Sequence, residues 1–167
     1  MVLDFNIGLP EALARIELFE QRNFTVYEEE QERTYHSSDD ILERYAEAKA
    51  RIVEVINEKF GTSYNLKNWI DKKEDEVAGF LNEAGSNVLA NSSYKCPYAF
   101  HLWIGRKGFI ISVEQKGRGF DAVEVARKGI KENKGGGFAF YRRCKGIVFF
   151  DDVKEARKVY LMDLSQS

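Results

Sequence analysis

The chain has 167 residues, of which 44% are apolar, which suits one globular domain with a single core. No run approaches the eighteen or so apolar residues of a membrane span, and the first ten residues do not resemble a secretory signal, so we expect a cytoplasmic protein outside the membrane. Residues 1–80 include 18 acidic and 10 basic residues, whereas residues 81–167 include 9 acidic and 15 basic residues. The positive charge of the second half suits an anionic ligand; the alternative is that the charges of the two halves neutralise each other across the fold.

The first 70 residues are predicted to contain two helices and a short strand. Pro10 opens an amphipathic helix that continues to about residue 21, and residues 23–27 favour a strand. A capping pattern at Asp40 then begins a long helix, whose apolar positions recur every three to four residues as far as Phe60. No motif in this N-terminal part indicates a function, although its long helix is a candidate surface for a homodimer or a regulatory protein partner.

The remaining chain, residues 71–164, is predicted to form an ATPase-like core within the same single domain. Helical spacing indicates a second long helix, and alternation of apolar residues then indicates a β-hairpin. A third helix follows and ends at a run of glycines, and a second hairpin is predicted after that run. These elements are predicted at residues 71–91, 98–113, 121–132, 135–137 and 147–161. Helices against a mainly antiparallel, mixed sheet make a two-layer α/β sandwich of the α+β class.

The second long helix carries the motif L-N-E-A-G-S-N-V-L-A-N at residues 81–91. It resembles the asparagine box of the histidine-kinase-like ATPase family (the GHKL or Bergerat fold), most closely in the anti-sigma-factor kinase branch, where a histidine stands in place of Asn91. The resemblance implies that Glu83 is the catalytic base and that Asn87 holds the Mg²⁺ bridging the phosphates of ATP. Residues four apart share one helix face, but such a pair is also typical of an ordinary solvated face.

The first hairpin leads into I-S-V-E-Q-K-G-R-G-F-D at residues 111–121, which resembles the Asp-x-Gly-x-Gly box of the same family. Gly117 and Gly119 match the two glycines. The family aspartate that accepts a hydrogen bond from the adenine amino group corresponds to Gln115, which keeps an acceptor oxygen but lacks the charge. Glu114 is one position away and, in an alternating strand, is expected to face the other side.

The third motif is K-G-G-G-F-A-F-Y-R-R at residues 134–143, which resembles the second glycine box of the family. A glycine turn that opens a short helix lets backbone N–H groups converge on an anion. The resemblance implies a phosphate site formed by Lys134, Gly135, Gly136, Gly137 and Arg142. The late Gly-Thr element of the family has no counterpart near residues 154–157, and three glycines also make an ordinary flexible turn.

Three functions are compatible with these motifs. The first is a nucleotide-binding domain that holds Mg-ATP and hydrolyses it or phosphorylates a protein serine or threonine. The second is a non-catalytic regulatory or protein-interaction module on the same fold, which Gln115 favours. The third is RNA binding, since residues 134–141 partly match a ribonucleoprotein motif, but the order of elements disfavours a nucleic-acid partner.

The remaining chemically distinctive residues are expected to be structural. Cys96 and Cys144 are too few and too far apart for a thiol metal cluster or a redox pair, and His36 and His101 share no ligand spacing, so we predict no structural metal. Aromatic residues at strand or helix spacing are expected in the core. These are Phe5, Phe19, Trp69, Trp103, Phe149 and Phe150.

Overall fold

A computed structural model describes residues 3–26, 38–91, 99–115, 119–131 and 139–165. The helices are α1 (Leu9–Ile16), α2 (Ser38–Phe60), α3 (Lys67–Ile70), α4 (Glu76–Asn91), α5 (Ala122–Lys131) and α6 (Ala139–Arg143). The strands are β1 (Leu18–Thr25), β2 (Ala99–Gly105), β3 (Phe109–Glu114), β4 (Ile147–Phe150) and β5 (Lys158–Asp163). Within these ranges, every helix is too short or too polar to cross a bilayer.

The strands form one sheet in the order β1-β2-β3-β5-β4, and every neighbouring pair is antiparallel. Both predicted hairpins are present, with Trp103 paired to Ile110 in the first. Parallel pairing within the described ranges is confined to an isolated bridge between Leu3 and Val148. The predicted two-layer α+β sandwich with a mainly antiparallel sheet is therefore confirmed.

Alternation along the strands divides the core between the two faces of the sheet. The inner face carries Leu102 and Ile111, which pack with buried side chains of α2 and α4, including Ile56 and Phe80. The outer face carries a smaller cluster that contains Trp103 and is covered by α1. Helix α4 contacts β3 and also packs on α2, α3 and α6, so it is the element that connects most of the helical layer to the sheet.

Three element boundaries differ from the sequence prediction; one of them is the strand predicted at residues 23–27, which is β1 at Leu18–Thr25. Helix α1 ends at Ile16, since Glu17 adopts a left-handed conformation with φ of 55° and the chain then pairs with β2 from Leu18 onward. Helix α4 begins at Glu76 rather than near residue 71. Asp75 stops it on the N-terminal side by accepting a hydrogen bond from the Ala78 N–H at 3.0 Å.

The expectation that all the distinctive aromatic residues are buried is wrong at two positions. Trp103 and the Phe149–Phe150 pair lie in the core, and Phe5 packs against it while partly buried. Phe19 is 60% exposed on the edge strand β1, where the pairing with β2 shifts register between Leu18 and Glu20. Trp69 is 43% exposed because α3 is a single helical turn with no buried side chain.

Candidate functional site

Helix α4 places Glu83 and Asn87 on one face, as their spacing predicts. Leu81 and Ala84 are fully buried against the sheet, whereas the Glu83 side chain is partly exposed. Gly79, Glu83 and Asn87 follow one another at four-residue intervals, so they form a single line along the helix, with about 6 Å of rise between successive members. The side chain of Asn87 lies outside the described part of the chain.

Helix α6 docks on the first member of this line. A methyl group built on Gly79 would lie 2.5 Å from the Phe140 ring, and the rings of Phe80 and Tyr141 are 6.0 Å apart. The predicted glycine run, Gly135 to Gly137, and Lys134 precede α6 in sequence but lie outside the described residues.

Arg142, a predicted phosphate ligand, is held against the protein in this structure. Its guanidinium donates a hydrogen bond to the backbone carbonyl of Ala126 in the middle of α5. This contact ties the short helix α6 to α5, so the geometry gives Arg142 a positioning role between two helices. It would have to leave that carbonyl in order to meet a phosphate directly.

Gln115 lies immediately after β3 and is directed toward the inner, helical side of the sheet. It continues the alternation of Phe109, Ile111 and Val113, its side chain is 2% exposed, and its N–H donates to the Arg157 carbonyl at 2.9 Å. As predicted, Glu114 faces the other side, where its carboxylate is 2.6 Å from His101 Nε2 and 3.9 Å from Lys158 Nζ.

The segment after Gln115 is anchored to the turn between β4 and β5. Phe120 and Ala156 exchange two backbone hydrogen bonds of 3.1 and 2.7 Å. A methyl group built on Gly119 would lie within 2.6 to 2.8 Å of Glu155 atoms, two of them in its backbone, so glycine is required there by close approach of two chain segments. Gly117 lies outside the described residues.

A partly buried cluster next to Glu83 in sequence was missed by the sequence interpretation. Lys49 of α2 donates a hydrogen bond to the Asn82 side-chain oxygen at 2.8 Å, and its Nζ lies 4.2 Å from the centre of the Tyr45 ring. The Tyr45 hydroxyl donates to the Leu81 carbonyl at 3.1 Å. Burial lowers the pKa of Lys49 and raises the pKa of Tyr45. The only sequence signal was the place of Tyr45 in the apolar pattern of the long helix.

Two further observations bear on the competing functions. Residues 139–143, which would lie on a strand in a ribonucleoprotein motif, form helix α6, so the RNA-binding interpretation loses its structural basis. A cleft lined by described residues lies beside the N-terminal turn of α4 and not at Glu83; Gly79 and Phe140 belong to its lining. Helix α6 therefore borders both the cleft and the Glu83 face.

Comparison with models of known protein families finds no match to this chain, and a comparison with curated proteins finds none either. Support for a site on α4 therefore comes from the motifs and the geometry of the chain itself.

Proposed function

We propose that this chain is a nucleotide-binding domain that holds Mg-ATP on the face of α4 formed by Gly79, Glu83 and Asn87. One observation carries the proposal: α6, which directly follows the glycine run, docks on Gly79, one turn before Glu83. Two segments distant in the sequence, the α4 motif and the helix that follows the glycine run, thereby meet at Gly79. Backbone N–H groups of a glycine turn are suited to phosphate oxygens, and the line on α4 supplies a carboxylate and an amide.

The residues on this face fit a division of labour in phosphoryl transfer. The partly exposed carboxylate of Glu83 is able to accept a proton from a water molecule or a substrate hydroxyl. Asn87 would hold magnesium through its amide oxygen, and the bound ion would neutralise charge on the phosphates. Lys49, through Asn82, and Tyr45, through Leu81, fix the rotation of α4 next to Glu83, which makes them positioning residues.

Calorimetric titration of the folded protein with Mg-ATP tests the proposal. We expect saturable binding that weakens at least about tenfold in Asn87→Ala, whereas Glu83→Gln should keep binding and lose about a hundredfold or more of any hydrolysis or transfer rate. Glu58→Gln, an exposed position on α2, is the matched control and should leave both unchanged. A folded wild-type protein that takes up no nucleotide at millimolar concentration would refute the proposal.

A second candidate is a non-catalytic interaction module on the same scaffold. It is favoured by the enclosure of Gln115 at 2% exposure and by the engagement of Arg142 with the Ala126 carbonyl, since both groups would have to face the ligand. The two candidates predict different outcomes in the titration above. A module of this kind would show no change in its unfolding temperature with Mg-ATP, whereas a nucleotide-binding domain would be stabilised by an amount that rises with the logarithm of the ligand concentration above Kd.

A further inference from the structure

The two edges of the sheet differ in what lies beyond them. Strand β4 is four residues long and is covered by the N-terminal segment, since Leu3 forms a bridge with Val148 and the Asp4 N–H donates to the Val148 carbonyl at 2.8 Å. Strand β1 is eight residues long and pairs with β2 on one side. Within the described residues, no backbone group bonds the other side of β1. A free strand edge of this length is able to accept a further strand.

The hairpin between β2 and β3 shows which backbone groups of β1 are free. The Gly105 N–H donates to the Gly108 carbonyl at 2.9 Å, so the odd-numbered residues of β2 bond β3. Successive residues of a strand bond opposite neighbours, so the even-numbered residues of β2 bond β1, and their partners in the register of β1 are also even-numbered. The odd-numbered residues of the regular part of β1 therefore direct their N–H and C=O groups away from the sheet. These are Gln21, Asn23 and Thr25.

The free edge of β1 lacks two common protections against pairing. The strand contains neither proline nor lysine, which natural proteins place on edge strands to keep other strands away. Its register shift lies between Leu18 and Glu20, and the stretch from Glu20 to Thr25 pairs regularly with β2. At the start of the strand, Leu18 is 41% exposed and Phe19 is 60% exposed. Exposed apolar side chains beside free backbone groups are typical of a surface that another chain covers.

The order of side chains along β1 is complementary to a second copy of the same strand. In a two-fold antiparallel pair, the free groups of the odd-numbered residues must bond each other, so the axis passes through a residue of the strand. With the axis at Gln21, Glu20 of each copy lies opposite Arg22 of the other. With the axis at Arg22, two guanidinium groups would lie opposite each other, which is destabilising. With the axis at Asn23, Arg22 would lie opposite Phe24, so the charges favour the axis at Gln21.

The two charged side chains are accessible to a second strand. Glu20 is 28% exposed and Arg22 is 37% exposed, and the Arg22 Nε lies 2.6 Å from the Glu20 carboxylate within the strand. Lys59 of α2 lies 3.3 Å from the other oxygen of Glu20. Self-association requires a patch in which each charge meets its opposite after the two-fold rotation, because a patch of one sign would repel its own copy. The Glu20–Arg22 pair meets this requirement about Gln21.

We propose that β1 pairs antiparallel with β1 of a second copy of this chain about a two-fold axis at Gln21, which joins the two sheets into one continuous sheet. The Gln21 N–H of each copy donates to the Gln21 carbonyl of the other, and Phe19 of one copy lies near Asn23 of the other. The pairing requires no nucleotide and is independent of the function proposed for the Glu83 face. A single strand pair makes a small interface, so we expect a dissociation constant in the micromolar range.

Sedimentation equilibrium of the full chain from about 1 to about 500 μM should show a reversible monomer–dimer equilibrium. Gln21→Pro removes the outward N–H at the axis but no hydrogen bond to β2, and should weaken dimerisation at least about tenfold. Gln21→Ala keeps that N–H and is the matched control, with an expected change of less than about twofold. A wild type that stays monomeric over the whole range, or equal dimerisation of the two variants, would overturn the proposal.

Charge exchange tests the position of the axis. Glu20→Arg and Arg22→Glu each place like charges opposite each other twice in the dimer, and each should weaken self-association at least about tenfold. The variant with both changes restores opposite charges and should dimerise within about threefold of the wild type. An equimolar mixture of the two single variants should form a heterodimer, because a strand with two arginines then lies opposite one with two glutamates. A double variant as weak as the single ones would refute the axis at Gln21.

A measurement on the unmodified protein covers the case in which a variant fails to fold. Amide hydrogen exchange is compared at protein concentrations below and above the dissociation constant of the dimer. Strand β1 should exchange more slowly at the higher concentration because its outward N–H groups become hydrogen-bonded, whereas β4 should be unchanged. A dimer without added protection of β1 would place the interface elsewhere and refute the proposal. Protection of β1 in a monomeric wild type only after a different protein is added would assign the edge to that partner and would equally overturn it.

Discussion

Gly85 lies between Glu83 and Asn87 in α4, and the Tyr45 side chain of α2 packs directly on it. A methyl group built on Gly85 would lie 1.1 Å from the Tyr45 hydroxyl oxygen and 2.3 Å from the ring carbon that bears it. Tyr45 is only 7% exposed and stacks on Phe100 with ring centroids 5.5 Å apart, so the ring has little room to move. We therefore expect Gly85→Ala to destabilise the protein although alanine is the better helix former.

The size of the effect follows from three contributions. Alanine in a helix interior is favoured over glycine by about 0.5 to 1 kcal/mol. Overpacking a well-filled core costs about 1 to 3 kcal/mol, and losing the hydrogen bond from the Tyr45 hydroxyl to the Leu81 carbonyl costs about 1 kcal/mol more. The net loss should be about 2 kcal/mol, which for a chain of this size corresponds to a fall of about 4 to 8 °C in the unfolding temperature.

A double-mutant cycle isolates the contact. Urea unfolding followed by circular dichroism would be measured for the wild type, Gly85→Ala, Tyr45→Leu and the double variant. In the Tyr45→Leu background the obstructing ring is gone, so Gly85→Ala should be neutral or stabilising by up to about 1 kcal/mol. An equal cost in both backgrounds, or stabilisation by Gly85→Ala in the wild type, would refute the packing described for α2 against α4.

Three further predictions concern other contacts. Glu76→Ala removes the carboxylate that accepts two backbone hydrogen bonds from the turn after α6. The free energy of unfolding measured in urea should therefore fall by about 1 to 3 kcal/mol. An unchanged urea midpoint of unfolding would contradict this. Burial, and then the charge of Glu76, raises the pKa of the Cys144 thiol to about 12. In a Cys96→Ser background, Cys144 should therefore react with Ellman's reagent at pH 8 far more slowly in the folded protein than after unfolding. Equal reaction rates would contradict its burial. Burial, and then the charge of Asp163, raises the pKa of Tyr64 to about 12, from about 10 in the unfolded chain. The contribution of protonated Tyr64 to the free energy of unfolding is therefore complete below about pH 10 and is lost as the pH rises toward about 12. The free energy of unfolding of Tyr64→Phe should therefore fall less steeply than that of the wild type over that range, and parallel curves would count against the shift.

The order of elements could be predicted from the sequence because it depends on local patterns. Alternation and turn residues indicated both hairpins, and helical spacing indicated α2 and α5 close to their final bounds and α4 with a start about five residues too early. Glu83 and Asn87 are four residues apart, so they lie on a common face once this segment forms a helix. Their common face is a consequence of helix geometry, although nucleotide binding there stays a prediction.

The contacts between elements could not be predicted in this way. Tyr45 meets Gly85, Gly119 meets Glu155, and Arg142 reaches the Ala126 carbonyl only after distant segments have been brought together by the core. The exposure of Trp69 likewise depends on α3 being a single turn without a buried face.

The sequence by itself determined which segments become helices and strands, and it placed a carboxylate and an amide on one helix face, because these properties depend on residues within a few positions of each other. Only the tertiary structure decided that α6 docks on Gly79, one turn before Glu83, and that a cleft containing Trp69 forms at the same N-terminal end of α4. Those features depend on which side chains fill the space between elements, and that space is defined only when the helices have packed on the sheet.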